Sequence, residues 1–178
     1  MKTASYILIL IATLMLSACQ KQEAETDNEP QVAATCDDGI MNQGETDIDC
    51  GGPCPLCQAT MTAMVDADTF KAVFNTITSK YANGAFFVSG SSDLGSLTII
   101  YSGPLNLGTV SNAQATFVKN STSVTYIASN ANLTFNAINV TDSTAEGMFS
   151  FNAINFNSPT DTVKVTNGFF KRISIKNN

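Results

Sequence analysis

The chain has 178 residues, of which 44% are hydrophobic, so it holds enough apolar material for one core and at most two domains. Fifteen acidic against nine basic residues give a net charge of −6, which argues against a nucleic-acid partner because phosphates would stay unneutralised. The sequence contains no His and no Trp, which removes the commonest general base and the best platform for carbohydrates and cations.

The first residues of the chain are typical of a secretion signal. Lys2 precedes an apolar run of 11 residues, YILILIATLML, which is shorter than the about 20 residues that a membrane-spanning helix needs. The run ends in LSAC, which resembles the bacterial lipobox, and an ordinary signal peptide with an incidental cysteine is the alternative. The resemblance implies that residues 1–18 are a lipoprotein signal peptide and that Cys19 becomes the lipid anchor in the membrane.

A short acidic segment follows the signal. Residues 19–35 contain Pro and several acids but no aromatic residue, which predicts a lipidated, disordered acidic tether. Lys21 and the acids after it partly resemble the export signal of Bacteroidetes lipoproteins. This resemblance implies an outer-membrane lipoprotein that faces the cell exterior, and a tether without any address is the alternative.

Residues 36–57 are predicted to form a small disulfide-bonded knot. Four cysteines lie within this short stretch, at Cys36, Cys50, Cys54 and Cys57. In an exported protein they predict two disulfides, with three possible pairings among which the sequence does not choose. A four-cysteine zinc site and a redox CxxC are the alternatives, and both fit an oxidising compartment less well.

The knot also concentrates oxygen ligands. Five carboxylates in such a short loop repel one another unless a cation lies among them, and Ca²⁺ accepts carboxylate and Asn oxygens in flexible loops. The spacing is not that of an EF-hand, and a solvated acidic surface is the alternative. The candidate calcium ligands are Asp37, Asp38, Asn42, Glu45, Asp47 and Asp49.

The same segment resembles a recurrent module of secreted Bacteroidetes proteins and animal extracellular proteins. The module has the pattern C-x-D-G-x-x-N-x-x-E-T-x-x-D-C-G-G-x-C-x-x-C, which residues 36–57 match from the first cysteine to the last. It occurs as a spacer or appendage beside many different domains. The resemblance therefore implies an extracellular accessory element without a defined task.

Residues 58–178 are predicted to form an all-β domain. Turn signals recur every 8 to 12 residues or so, and the runs between them are rich in Thr, Val, Ile and Phe. This pattern predicts about nine antiparallel strands in a β-sandwich or an irregular barrel. The predicted strands include TFKAVF, NTITSKY, SLTIIY, AQATFV, SVTYIA, ANLTFNAINV, GMFSFNAINF, TVKVT and FFKRISI.

Three local features of this domain have more than one interpretation. Residues 70–81 fit a helix by spacing, but β propensity favours strands there. After Ala153 the apolar phase moves to Ile154 and Phe156, which predicts a bulge or a change of sheet. The Asn-Gly pairs at 83–84 and 167–168 both predict turns.

The β domain resembles a family of small Bacteroidetes lipoproteins of unknown function. The family shares an early A-x-V-D-G-x-x-W-x-A, a central G-T-Y, a late G-x-F-x-F-x-A and a final T-x-x-V-T-N-G-x-F. In this chain Phe70 replaces the Trp, and Val110 replaces the Tyr. The shared features fall at Ala63 to Asp66, at Phe70, at Val110, at Gly147 to Ala153 and from Thr162 onwards. These motifs consist of patterned apolar residues and glycines, so the resemblance supports a fold and implies no chemistry.

Catalytic groups are sparse in the β domain. Its six acids are scattered, no Ser-x-x-Lys and no phosphate-binding loop occur, and a turn is the favoured interpretation of Asp66-x-Asp68. The predicted function is therefore non-enzymatic binding of an unknown protein or glycan through loops. A β-barrel carrier of a small apolar ligand and a hydrolase using an acid pair are the alternatives.

Overall fold

The computed structural model describes residues 36–176, which contain nine strands and a single turn of 3-10 helix at Phe74–Thr76. The predicted all-β class is confirmed, and no α-helix occurs within these residues. The strands are β1 (Thr60–Val65), β2 (Asp68–Lys71), β3 (Thr78–Ala82), β4 (Ala85–Ser91), β5 (Gly95–Ser102), β6 (Gly108–Lys119), β7 (Val124–Asn139), β8 (Thr144–Asn155) and β9 (Ser158–Ser174).

The nine strands form one antiparallel sheet in the order β2-β1-β9-β8-β7-β6-β5-β4-β3. Strands that follow one another in sequence pair with each other, except β2 and β3, which are the two edges of the sheet. The first strand, β1, also pairs with the last strand, β9. The sheet curls until its edge strand β3 contacts β9, which makes a half-barrel open between β2 and β3. The sequence left sandwich and barrel open, and the structure is a single curled sheet.

The concave side of the sheet is filled with aromatic rings. Phe86, Phe135 and Phe170 come from three different strands and are each at most 1% exposed. Their ring centroids lie 5.1 to 6.1 Å apart, and Tyr101 and Phe149 extend the group at 6.2 and 6.4 Å. Such ring pairs contribute about 0.5–1.5 kcal/mol each beyond the area they bury. These five rings therefore form one contiguous aromatic group within the apolar core.

Two long strands combine segments that were predicted to be separate. SVTYIA and ANLTFNAINV are both in β7, and TVKVT and FFKRISI are both in β9. The prediction of a turn at 167–168 is wrong, because Asn167 lies inside β9 at a φ of 50°, where the pairing with both neighbouring strands shifts register. A β-bulge there absorbs the extra residue without ending the strand. The other Asn-Gly pair, at 83–84, does make the predicted turn.

The bulge predicted after Ala153 is present, because the pairing of β8 with β9 shifts register between Ile154 and Asn155. The alternation of buried and exposed residues nevertheless continues to the end of β8. Ala153 and Asn155 are buried, whereas Ile154 is 47% and Phe156 74% exposed. Ile154 pairs with Ile127 of β7, which is also exposed, so apolar side chains cover part of the convex surface here. Ile154 and Phe156 are apolar but point outwards, so the apolar pattern does not follow the buried face here.

Half of the ambiguous segment at residues 70–81 is strand, at its two ends. Phe70 lies in β2 and is fully buried, and Tyr81 lies in β3. The helical spacing appears only as the 3-10 turn between these strands, which Thr76 ties to the end of β4 by donating to the Ser91 carbonyl at 3.0 Å. This connection crosses the opening between the two edge strands.

Candidate functional site

The four cysteines of the knot form two disulfides, as predicted. Cys36 pairs with Cys54, and Cys50 pairs with Cys57. Cys54 and Cys57 thus belong to different disulfides, so the CPLC sequence does not act here as a redox pair. Because all four sulfurs are oxidised, none is available as a thiolate ligand for zinc. The two crosslinks enclose overlapping stretches of chain, which suits a segment with almost no apolar core.

Two acidic side chains accept hydrogen bonds from backbone N–H groups of the knot. Glu45 is 6% exposed and accepts hydrogen bonds from the backbone N–H groups of Asn42 and Asp49, both at 3.2 Å. Asp49 in turn accepts the N–H of Gly39 with both carboxylate oxygens, at 2.9 and 3.0 Å. Carboxylates that satisfy backbone donors in this way stabilise an irregular loop.

Four of the six predicted calcium ligands belong to one hydrogen-bonded loop. Asp38 accepts the N–H of Ile40 at 2.8 Å and the side-chain amide of Asn42 at 3.1 Å, and Glu45 and Asp49 are linked to the same loop. The Oδ1 atom of Asn42 is buried and has no hydrogen-bond partner in the structure. Asp37 lies nearby and is exposed.

A preformed cage of three acidic ligands does not occur within residues 36–176. The one group whose ligand atoms lie within 4.8 Å of one another consists of Cys36, Glu45 and Cys54. Its two sulfurs form a disulfide, so this group is not a metal site. A carboxylate has about four lone-pair sites, so the carboxylates of Glu45 and Asp49 can contact a cation in addition to the N–H groups that they accept.

Asp47, the remaining predicted ligand, faces the sheet instead of the acidic loop. Its carboxylate forms ion pairs with Lys171 and with Arg172, the latter at 3.2 Å, and Arg172 also donates to the carbonyl of Thr46 at 3.3 Å. The hydrogen bond from Lys171, together with the two positive charges, holds the pKa of the Asp47 carboxyl below its ordinary value against the opposing effect of burial. Asp47 therefore fastens the knot to β9.

A bulge in β9 makes this contact possible. Arg172 has a φ of 54°, and the pairing of β8 with β9 shifts register beside it. In a regular strand Lys171 and Arg172 would point to opposite faces of the sheet. At a bulge two consecutive side chains can contact the same residue, which here is Asp47. Sequence reasoning had no signal for this pairing, because the two partners lie at opposite ends of the described chain.

The convex side of the sheet carries an open groove of about 520 Å³, here called the outer-face groove. It crosses β7, β8 and β9 at the bulge of Asn167. Thr134, Met148 and Phe169 lie in one cross-strand row, and Asn132 and Ser150 form the adjacent pair. The lining residues are Asn132, Thr134, Met148, Phe149, Ser150, Thr166, Asn167, Gly168 and Phe169.

Two acids of the β domain, Asp66 and Asp161, make structural hydrogen bonds. Asp66 sits in the β1–β2 turn at a φ of 55° and accepts the N–H of Lys164 at 2.8 Å, as the turn interpretation predicts. Asp161 accepts the side-chain amide of Asn155 at 2.8 Å and the hydroxyl of Tyr126 at 3.2 Å. Burial, with the Asp161 carboxylate beside the hydroxyl, raises the pKa of Tyr126.

These features define an all-β protein with a curled meander sheet and a disulfide-bonded knot fastened to its last strand. The chain belongs to the family described as a domain of unknown function, DUF6252, whose model matches residues 58–174. No curated protein and no solved structure matches the chain. Over residues 36–176, no helix is long and apolar enough to cross a membrane.

Proposed function

We propose that this chain is a lipid-anchored protein of the bacterial outer membrane that faces the cell exterior and binds a partner without catalysing a reaction. Its anchor, Cys19, its signal peptide, 1–18, and its tether, 19–35, lie outside the described residues, and the lipobox-like sequence supports them. The two disulfides support export, because they persist in oxidising compartments.

The observation that carries the binding function is the outer-face groove. Its volume of about 520 Å³ falls in the range of about 300–1,000 Å³ typical of ligand sites. It lies on the sheet itself, whereas the sequence suggested binding through loops. A rigid sheet holds binding side chains more accurately than a loop does.

Two alternatives receive less support. A carrier of a small apolar ligand needs room inside the barrel, but Phe86, Phe135 and Phe170 fill the concave side in mutual contact. A hydrolase needs two carboxylates converging on a substrate, whereas Asp66 and Asp161 are engaged with backbone and side-chain donors.

The anchor and the binding function are testable in living cells. Radioactive fatty acid should label the chain and should not label a Cys19→Ala variant, and external protease should degrade the anchored form on intact cells. A photoreactive amino acid in place of Met148, which is 49% exposed, should capture the partner from the groove. The same amino acid at Val140, 83% exposed and outside the groove, is the control. Equal capture at both positions contradicts the assignment of the groove.

We also propose that the knot binds Ca²⁺ through Asp38, Asn42, Glu45 and Asp49. The supporting observation is the Oδ1 atom of Asn42, which is buried and has no hydrogen-bond partner. The backbone N–H of Asn42 donates to Glu45, and its side-chain amide donates to Asp38, so both carboxylates lie beside this residue. A buried oxygen without a donor is costly, and a cation would satisfy it. Bound calcium would supply the positive charge that the acidic loop itself lacks.

A further inference from the structure

We propose that the outer-face groove binds an uncharged oligosaccharide, an inference that rests on the binding function proposed above. It follows from three properties of the lining residues: their fixed backbone, their lack of charge, and their combination of amide, hydroxyl and apolar groups.

The backbone of the groove is fixed by packing. Asn167 takes a left-handed conformation, and Gly168 beside it lies so close to Phe149 that a Cβ atom would come within 2.3 Å of the ring. On the opposite side, the hydroxyl of Thr134 is hydrogen-bonded to that of Thr109 at 2.9 Å. A site that needs little ordering on binding loses less free energy to conformational entropy.

None of the nine lining residues carries a charge. An anionic or cationic ligand would lose hydration in the groove without meeting an opposite charge, which is unfavourable. This lack of charge favours a neutral ligand.

The lining nevertheless contains many hydrogen-bonding groups. Asn132 and Asn167 are exposed, and Asn132 makes only one long bond within the groove, to Ser150 at 3.5 Å. A wholly apolar ligand would cover these amides and leave them unsatisfied. Met148 and Phe169 add apolar surface in the same row. A sugar ring matches this combination, because its hydroxyls pair with amides and its C–H face packs on an aromatic ring.

The test titrates the full chain with uncharged oligosaccharides (cellohexaose, laminarihexaose, xylohexaose and mannohexaose) and with oligogalacturonate as the charged counterpart. At least one uncharged probe should bind, and oligogalacturonate should not. Asn132→Ala should weaken binding about tenfold, as expected for loss of hydrogen bonds to the ligand. The matched control is Asn152→Ala, an exposed position on β8 outside the groove, which should leave the affinity unchanged.

A variant at Phe169 separates the aromatic contribution from folding. Phe169→Leu keeps apolar bulk and should weaken binding while the unfolding curve stays close to that of the parent chain. Binding that Asn132→Ala and Asn152→Ala change equally would overturn the inference. Failure of every uncharged probe would also overturn it. If a photoreactive residue at Met148 then captures a protein on living cells, the binding function stands without the oligosaccharide. If the photoreactive residue captures nothing, both the binding function and the oligosaccharide proposal fail.

Discussion

Asp47 of the knot and Arg172 of β9 form an ion pair in which the carboxylate Oδ2 lies 3.2 Å from the guanidinium. Lys171 contacts the same carboxylate, and residues 36–176 belong to one compact unit. The knot therefore has defined side-chain contacts with the sheet of the β domain, in addition to the chain connection through residues 58–59.

Replacement of Asp47 by Asn should loosen this attachment. We expect Asp47→Asn to lower the free energy of unfolding by about 1 kcal/mol, because the side chains are partly buried and two cations lose their partner. Urea unfolding of the full chain at neutral pH measures this change. Asp37→Asn removes the same charge at an exposed position and should have little effect. If both variants lose the same stability, general charge repulsion explains the effect and the ion pairs do not.

Gly168 should not tolerate a side chain. A Cβ atom there would lie 2.3 Å from two ring carbons of Phe149 and 2.5 Å from its carbonyl oxygen. We expect Gly168→Ala to destabilise the protein by about 1–3 kcal/mol, the usual cost of overpacking. Denaturant unfolding gives the value.

A double-mutant cycle locates the cause of that loss. With Phe149→Ala present, Gly168→Ala should cost less, because the ring carbons are gone and the carbonyl contact alone remains. Additive effects of the two substitutions would show that the clash with the ring is not responsible.

The sequence predicted the all-β class of fold better than it predicted where the individual strands begin and end. Alternation identified inward residues such as Phe135, because each strand of this sheet buries one face. The count of nine agreed, although β1 and β4 were not among the predicted strands and two pairs of predicted strands proved continuous. Bulges at polar residues such as Asn167 have the same local sequence as turns, so only the pairing of neighbouring strands distinguishes them.

The disulfide bonds are the part of the candidate site that the sequence predicted. Cysteine spacing and export predicted two disulfides, but their pairing depends on geometry. The sequence did not predict the outer-face groove, because its residues alternate with core positions on three strands. Thr134, Met148 and Phe169 become neighbours only through register, which a single sequence does not specify.

Tyr126 should make the protein sensitive to alkali. Its pKa is raised in the folded state, so folding stabilises the protonated phenol. This contribution is complete below the ordinary tyrosine pKa of about 10 and is lost as pH rises through the folded-state value. The free energy of unfolding should therefore fall above about pH 10, and Tyr126→Phe should reduce that slope.

The control for Tyr126 is a tyrosine in another setting. Tyr81 donates its hydroxyl to the carbonyl of Gly103 at 3.2 Å and has no carboxylate partner among its hydrogen bonds. Tyr81→Phe removes one phenol without touching the Tyr126–Asp161 pair and is the matched variant. At neutral pH, Tyr126→Phe should cost about 1 kcal/mol for the lost hydrogen bond to Asp161. An unchanged alkaline slope in Tyr126→Phe would assign the sensitivity to other groups.

Calcium should stabilise the knot if the acidic loop holds it. A ligand that binds only the folded state at 100 times its Kd adds about 2.7 kcal/mol, so thermal unfolding of the full chain should move to higher temperature with Ca²⁺ and return with a chelator. Asp49→Asn should abolish the shift, and it suits the site because Asn tolerates the φ of 56° found there. Asp47→Asn should retain the shift, since that carboxylate faces Lys171 and Arg172. Identical unfolding curves in calcium and chelator, with no metal bound at equilibrium, would exclude the site.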